Sequence, residues 1–321
     1  MFGGVLAPQN ADPRLMPTFQ AADCPPTRTP LGLPILAACL GISMYAGMDT
    51  LMKGLGLAIG AYSALFWRMM AGVFITSSLY LPKRTAWPTR TVLKLHAARS
   101  MVVAVMGVAF FWGITQLPLA EAIALSFVAP LIALGLAAFF LEEQVGLRTV
   151  AGSVLGLVGV AIILAGQLGG SAHEQAWWGA GAILSSAVFY AINLVMARHQ
   201  AQLAKPLEIA AFQNVFVLAL LSPGAPFFVK LPEGLGQCSA IVAAASFAVI
   251  SLLLTSWAYA RAEAQVLLPV EYTIFVWAAM TGCLFFDEPL TAATIAGTVL
   301  IISGCILALW RNTASLPEIE V

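Results

Sequence analysis

The stretch FLEEQVGLRTVAGSVLGLVG at residues 140–159 returns 145 residues later as FFDEPLTAATIAGTVLIISG, residues 285–304. Aligned without a gap, Phe140 meets Phe285, Glu142-Glu143 meets Asp287-Glu288, Thr149 meets Thr294 and Ala151-Gly152 meets Ala296-Gly297. Val154-Leu155 then meets Val299-Leu300, and Gly159 meets Gly304, so the pattern Glu-x8-Gly-x6-Gly occurs twice. The register also holds upstream, where Tyr45-Ala46 meets Tyr190-Ala191 and Trp112 meets Trp257. Apolar segments match one another by chance. Tryptophan, tyrosine, acidic residues and glycine falling together in one ungapped register do not, so the chain reads as two copies of one unit.

Composition says what kind of unit this is. Of 321 residues, 60% are hydrophobic and 9% charged, whereas soluble domains carry about 25% charged residues. So few charges cannot cover a water-facing surface, and the expected covering is the lipid bilayer. The net charge of zero offers no basic stripe for phosphates, so no nucleic-acid partner is expected. The five cysteines lack CxxC spacing and read as small buried hydrophobes, while His96, His173 and His199 are scattered. Neither a metal site nor a cofactor is expected.

A membrane crossing takes about 20 mostly apolar residues, since the hydrocarbon is about 30 Å thick and each helical residue rises 1.5 Å. The runs that meet this template are Leu31–Met52, Ala61–Leu81, Ala97–Leu117, Ala120–Leu141 and Leu147–Gln167 in the first half. The second half supplies Trp177–Ala197, Leu207–Val229, Cys238–Ala260, Ala264–Phe286 and Ala292–Trp310. The expected fold is therefore an all-α integral membrane protein of ten transmembrane helices. Its two five-helix repeats span residues 31–167 and 177–311, between flexible tails at 1–30 and 312–321. The first tail has no basic segment followed by an apolar one and does not read as a cleaved signal.

Lysine and arginine favour the cytoplasmic side of a membrane. With the N-terminus inside, twelve of the fifteen basic residues fall on inner segments and only Lys53 and Lys230 on outer ones, Arg68 lying within a helix. Both termini are thus expected in the cytoplasm, the membrane being a bacterial-type inner (plasma) membrane. Five helices is an odd number, so the second copy is inserted upside down relative to the first. Inverted repeats of this kind are a recurring design of secondary transporters that open a midplane site alternately to either side.

Two halves of five helices, each ending acidic-x8-Gly-x6-Gly, resemble the EamA family of the drug/metabolite transporter superfamily. So do FWR at Phe66–Arg68 and SFVAPLIALGLAAFFLEE at Ser126–Glu143. The resemblance covers about Leu31 to Trp310. It implies movement of small metabolites, without ATP hydrolysis, through a central cavity between the halves. LPVEYTIFVWAAMTGCLFFDEP at Leu268–Pro289 and MDTLMKGLG at Met48–Gly56 are similar to a branch that includes riboflavin and S-adenosylmethionine importers. The commoner second-half form has a proline near the middle of helix nine. Here Phe275 stands at the equivalent of Pro130, and Pro269 comes earlier.

A charge at the bilayer centre costs roughly 3 kcal/mol on insertion scales, so intramembrane ionisable residues are candidates for function. Arg68, about seven residues inside its run, suits a substrate carboxylate or phosphate, or else pins neighbouring helices. Glu271, beside Tyr272, suits a cationic group or a coupling proton, or a fixed arginine partner. Asp49 and Lys53 stand i, i+4 and are expected to pair. Glu121 opens the fourth run, where its charge suits the helix dipole or takes part in translocation. Glu142, Glu143, Asp287 and Glu288 are expected to be solvated at helix ends, accepting from the first amides of the helix that follows. Gly152 and Gly156 are expected only to pack helices closely.

Tyr45, Trp112, Tyr190, Asn193, Gln213, Asn214, Trp257 and Tyr272 complete the candidate set. Aromatic walls with a few polar anchors suit a flat, aromatic or amphipathic small molecule. Gln213 is the repeat equivalent of Arg68, which puts the second and seventh helices on a common cavity. A flippase for a lipid or lipid-linked carrier would share this fold. An intramembrane enzyme is disfavoured, since no HExxH or GxSxG grouping is present. The sequence names no substrate, direction, coupling ion or oligomeric state.

Overall fold

The computed structural model describes residues 32–84, 87–129, 131–132, 147–168, 174–201, 203–259, 261, 267 and 270–309. Among these residues every regular element is helical and none is a strand. The helices are α1 Gly32–Ile59, α2 Ala61–Tyr80, α3 Arg90–Gln116, α4 Leu119–Ser126 and α5 Leu147–Leu168. The second half supplies α6 Glu174–Ala201, α7 Pro206–Leu221, α8 Gly234–Tyr259, α9 Ile274–Phe286 and α10 Ala292–Leu309. A 3-10 turn at Ser222–Gly224 and one helical turn at Ala225–Phe228 prolong α7.

Hydrocarbon offers the backbone no hydrogen bonds, so a spanning segment must satisfy its own amides as a helix. Among the described residues, six segments are long and apolar enough to cross: Gly32–Ile59, Ala61–Lys83, Arg90–Gln116, Ala176–Leu194, Pro206–Phe228 and Gly234–Tyr259. Val150–Gly166, Ile274–Phe286 and Ala292–Gly304 are shorter apolar helices. The expected fourth run extends past α4 into residues outside the described set, as do both tails, Glu142, Glu143, Pro130, Pro269 and the start of the ninth run. Phe74 at 71%, Leu284 at 67% and Phe285 at 70% relative exposure present apolar surface outward. That is the covering a membrane requires.

Local chemistry sets the joints. Helix α1 runs to Ile59, seven residues past the expected Met52, and only Gly60 separates it from α2. Gly60 has φ 88° and ψ 144°, a conformation that a side chain would disfavour. Thr89 caps α3 by accepting from the Val92 amide. Asp287 ends α9 in the left-handed region at φ 52°, and the Glu288 amide closes back on Gly282 O at 3.2 Å.

The most extensive packing joins α5 to α10, α1 to α8, α3 to α6 and α2 to α7. Every one of these pairs takes one helix from each half of the chain. Helix α4 lies inside, with Leu119 to Leu125 all buried, and α9 packs on α4 and α1. The core runs through Met52, Leu65, Ile114, Leu119, Ile183 and Ile301.

Where α5 crosses α10 the backbones meet. A Cβ added to Gly159 would lie 2.5 Å from Gly297 O, and one added to Gly304 would lie 2.5 Å from Gly152 O and 2.9 Å from Gly156 N. Gly152 faces Gly304 while Gly159 faces Gly297, so the two helices run antiparallel. The four glycines of the recurring sequence pattern thus form one seam, the close-packing role expected of Gly152 and Gly156.

Candidate functional site

Helix α1 carries Tyr45, Asp49 and Lys53 at four-residue spacing, and the last two are buried at 1% and 3% exposure. The expected Asp49–Lys53 pair does not form. Lys53 instead forms an ion pair with Glu288, donates to Leu117 O at 2.5 Å and lies 5.3 Å from the Phe286 ring centre. The second Glu288 oxygen accepts from the Leu119 amide at 2.7 Å. The cause is the α3–α4 joint. Leu117 is extended and Leu119 opens α4, so the joint exposes a carbonyl and an amide that no helix satisfies. A lysine and a glutamate together supply what both groups lack.

Glu288 is therefore not a solvated acceptor for the first amides of α10, as expected from its position. Thr291 fills that place, accepting from the Thr294 amide at 3.1 Å. Glu121 is buried at 5% exposure and accepts from Thr294 Oγ1 at 3.0 Å. Its charge also acts on Lys53. The start of α4, the last turns of α1 and the α9–α10 turn are joined by this one cluster.

A second group lies deeper. Arg68 of α2 is half-buried, its guanidinium 5.6 Å from the centre of the Phe111 ring. Neither carboxylate oxygen of Asp49 has a hydrogen-bond partner, nor has Arg68 Nε. The charges of Asp49 and Arg68 nonetheless act on each other and on Tyr45. Tyr45 is coupled in turn to Tyr190 of α6, and Tyr190 to Glu271 ahead of α9. Glu271 accepts from the Tyr259 hydroxyl of α8. Of these groups Glu271 and Tyr259 are in direct contact, while Asp49 and Arg68 keep buried polar atoms without a hydrogen-bond partner.

The other candidates are placed differently. Asn193 accepts from Arg99 Nε at 2.7 Å, and Asn214 lies against Gly72 and donates to Thr76 Oγ1 at 3.4 Å. Both amides therefore tie helices together. Tyr272 stacks edge-on against Phe127 at 5.3 Å, and Arg261 sits 4.3 Å over the Trp257 ring. Gln213 is half-buried on α7, the helix that packs on α2, and Trp112 is partly exposed on α3. An apolar groove of about 460 Å³ between α3 and α7, lined by Met101, Val105, Val108 and Leu220 among others, contains none of the candidates.

Sequence reasoning passed over a third cluster. Tyr80 donates to Glu208 at 3.2 Å, and Glu208 faces His96 Nε2 at 3.4 Å. Gln200 donates to His96 Nδ1 at 2.5 Å and accepts from Arg99 Nη1 at 2.5 Å. With Nδ1 accepting, Nε2 carries the hydrogen that points at Glu208. His96 and Gln200 are buried at 1% and 2% exposure, and the imidazole stacks on Phe212 at 5.0 Å. The available signal was the i, i+3 spacing of His96 and Arg99 on α3. Arg99 had been counted as a charge on an inner segment.

A bundle of apolar helices enclosing buried charge defines a multi-pass integral membrane protein. The signature of the EamA-like transporter family matches twice, at residues 32–165 and 177–310, and the chain belongs to that family. The starts and the ends of the two matches each lie 145 residues apart, which is the register of the repeat.

The pseudopaline exporter CntI of Pseudomonas aeruginosa is 26% identical over 85% of this chain and 94% of its own length. The S-adenosylmethionine uptake transporter of Rickettsia bellii is 24% identical over 87% and 94%. The riboflavin transporter of Brucella anthropi is 22% identical over 87% and 97%. A crystal structure of a protein at 18% identity superposes with a TM-score of 0.57, covering 86% of this chain and 96% of that one. It shows the fold alone. The class they define is a small-molecule transporter.

Proposed function

We propose that this protein is a secondary transporter that moves a small organic metabolite across the plasma membrane by alternating access. In this reading ten helices form two inverted five-helix repeats, both termini are cytoplasmic, and the substrate passes between the halves. The helix pairing carries the reading. Shifting the chain by one repeat turns the α1–α8 contact into the α6–α3 contact, while α2–α7 and α5–α10 map onto themselves. A pairing that closes on itself under the repeat shift supports a two-fold relation between halves, and the antiparallel α5–α10 crossing supports its axis lying in the membrane plane.

The buried clusters support a gated path. In the proposed orientation the Lys53–Glu288–Leu119 cluster closes the outer end between the halves. Asp49, one turn before Lys53 on α1, lies inward of it. The varied names of the relatives support a metabolite as cargo without choosing export or import. The test is flux in proteoliposomes with S-adenosylmethionine, riboflavin and amino-acid metabolites on either side. Saturable movement of at least one, without ATP, is the expected result. Folded, inserted protein that moves none of them counts against the proposal.

A further inference from the structure

Helices α2 and α3 meet the same face of the bilayer, the spans Ala61–Lys83 and Arg90–Gln116 being separated only by residues 84–89. Lys83, Arg84, Arg90 and Lys94 stand at this joint, and all four are exposed. Between Asp49 and Glu121 the sequence holds no acidic residue. Among the described residues none of the four forms an ion pair. Glu208 reaches the end of α2 from α7, but it is engaged by Tyr80 and His96. The chain is neutral as a whole, so this patch is a local excess of positive charge that the protein does not balance.

The placement of these charges is unfavourable for the protein alone. Arg90 and Lys94 lie i, i+4 on one face of α3, where like charges repel. Both fall in the first two turns, at the end where the helix dipole is already positive and an acidic residue is preferred. Arg84 is held in place: its guanidinium lies 4.2 Å over the Trp87 ring, and Trp87 meets Phe212 edge-on at 6.4 Å. Trp87 nonetheless stays 63% exposed, beside the exposed Leu81 and Leu93. An anchored, outward-facing indole among basic residues at the mouth of two spans suits the head-group layer, where its apolar body and polar edge both find partners.

We propose that the α2–α3 joint binds the phosphate of an anionic phospholipid, with Lys83, Arg84, Arg90 and Lys94 supplying the counter-charge. Trp87, Leu81 and Leu93 meet its acyl chains, a contact that a free phosphate could not use. In the orientation proposed above the lipid belongs to the cytoplasmic leaflet, whose negative surface attracts basic segments beside a span. Phe212 of α7 touches both Trp87 and His96, so a lipid seated here lies against the joint between the two halves.

The test is native mass spectrometry of the full-length protein, purified in detergent, stripped of lipid and titrated with phosphatidylglycerol or phosphatidylcholine. Phosphatidylglycerol should bind at least tenfold more tightly. One basic residue near a lipid surface is worth about fivefold in affinity, so Arg84→Gln should weaken phosphatidylglycerol by about that factor. Lys83→Gln, Arg84→Gln, Arg90→Gln and Lys94→Gln together should bring it to the level of phosphatidylcholine, and Lys94→Arg should leave it unchanged. Arg261→Gln should also leave it unchanged, since Arg261 makes the same contact with Trp257 outside the patch. If the quadruple variant does not fold, Arg84→Gln alone decides. Four results would overturn the site: equal binding of the two lipids, full affinity in Arg84→Gln, an equal loss in Arg261→Gln, or displacement of the lipid by millimolar inorganic phosphate. The last would mark a site for a soluble phosphate. None of these readouts involves flux, so a failure here leaves the transport proposal standing.

Discussion

Replacing Glu288 by Gln keeps the shape of the side chain and removes the charge that holds Lys53. Lys53 is buried at 3% exposure, so the substitution leaves its ammonium with Leu117 O and no counter-charge. It also weakens the acceptor on the Leu119 amide. Removing one partner of a buried ion pair costs about 3 to 5 kcal/mol. The lower end applies here, because Glu288 retains 17% exposure. If the cluster closes the outer end, that energy is lost from the closed state and not from the open one. A loss of about 3 kcal/mol moves the balance between the two by about 150-fold.

The assay is the rate at which an impermeant maleimide labels a cysteine at Leu119, fully buried behind the cluster, in a variant without the five native cysteines. Glu288→Gln should raise that rate by about two orders of magnitude. Lys53→Met combined with Glu288→Gln should raise it less than Glu288→Gln alone, because no buried charge is then stranded. An unchanged rate in the single variant, or a double variant that labels faster still, would refute the idea that this pair closes the outer end.

Gly159→Leu should prevent the α5–α10 crossing, where even a Cβ meets Gly297 O. The expected result is loss of the monodisperse species in size-exclusion chromatography, with Gly159→Ala intermediate. His96→Leu strands the Gln200 amide and one Glu208 oxygen, and thermal unfolding in detergent should show a loss of about 1 to 3 kcal/mol. Asp287→Val places a β-branched residue at φ 52° and should cost about 1 to 2 kcal/mol in the same assay, whereas Asp287→Gly should not. If Glu271 carries a coupling proton, Glu271→Gln should flatten the pH dependence of flux. An unchanged profile would remove that role and leave Glu271 as a fixed acceptor for Tyr259.

The apolar runs, their break points and the repeat register were legible because length, hydropathy and glycine spacing are local properties of the chain. Gly152, expected with Gly156 to pack helices closely, lies where α5 and α10 touch, as do the other glycines of the repeated pattern, Gly159, Gly297 and Gly304. Partner choice among charges was not legible. The i, i+4 rule puts Asp49 and Lys53 on one face, yet the pair that forms is Lys53–Glu288, 235 residues apart. An unsatisfied amide and carbonyl at the α3–α4 joint decide it, and no periodicity reports them.

Arg99 was legible only as a charge. Counted as a charge near the cytoplasm, it proves to be bonded to Asn193 and Gln200 between two helices. Glu208 and Gln200 went unremarked because each stands at a helix end, where polar residues are ordinary. Of the site, the tyrosine, arginine and glutamate positions could be read from charge in apolar surroundings. Asp49 could not be separated from Lys53 until the third partner was visible.

The glycine seam has a consequence for how such a chain can arise and vary. Each of its two helices offers the same two small positions, and each position meets the other one on its neighbour: 152 on 304, 159 on 297. The surface is its own complement, as in an isologous dimer, where one patch contacts a second copy of itself. One stretch of sequence, once duplicated, therefore arrives with both sides of the joint already matched. A bulky replacement on either helix then spoils half of the joint, whichever copy carries it.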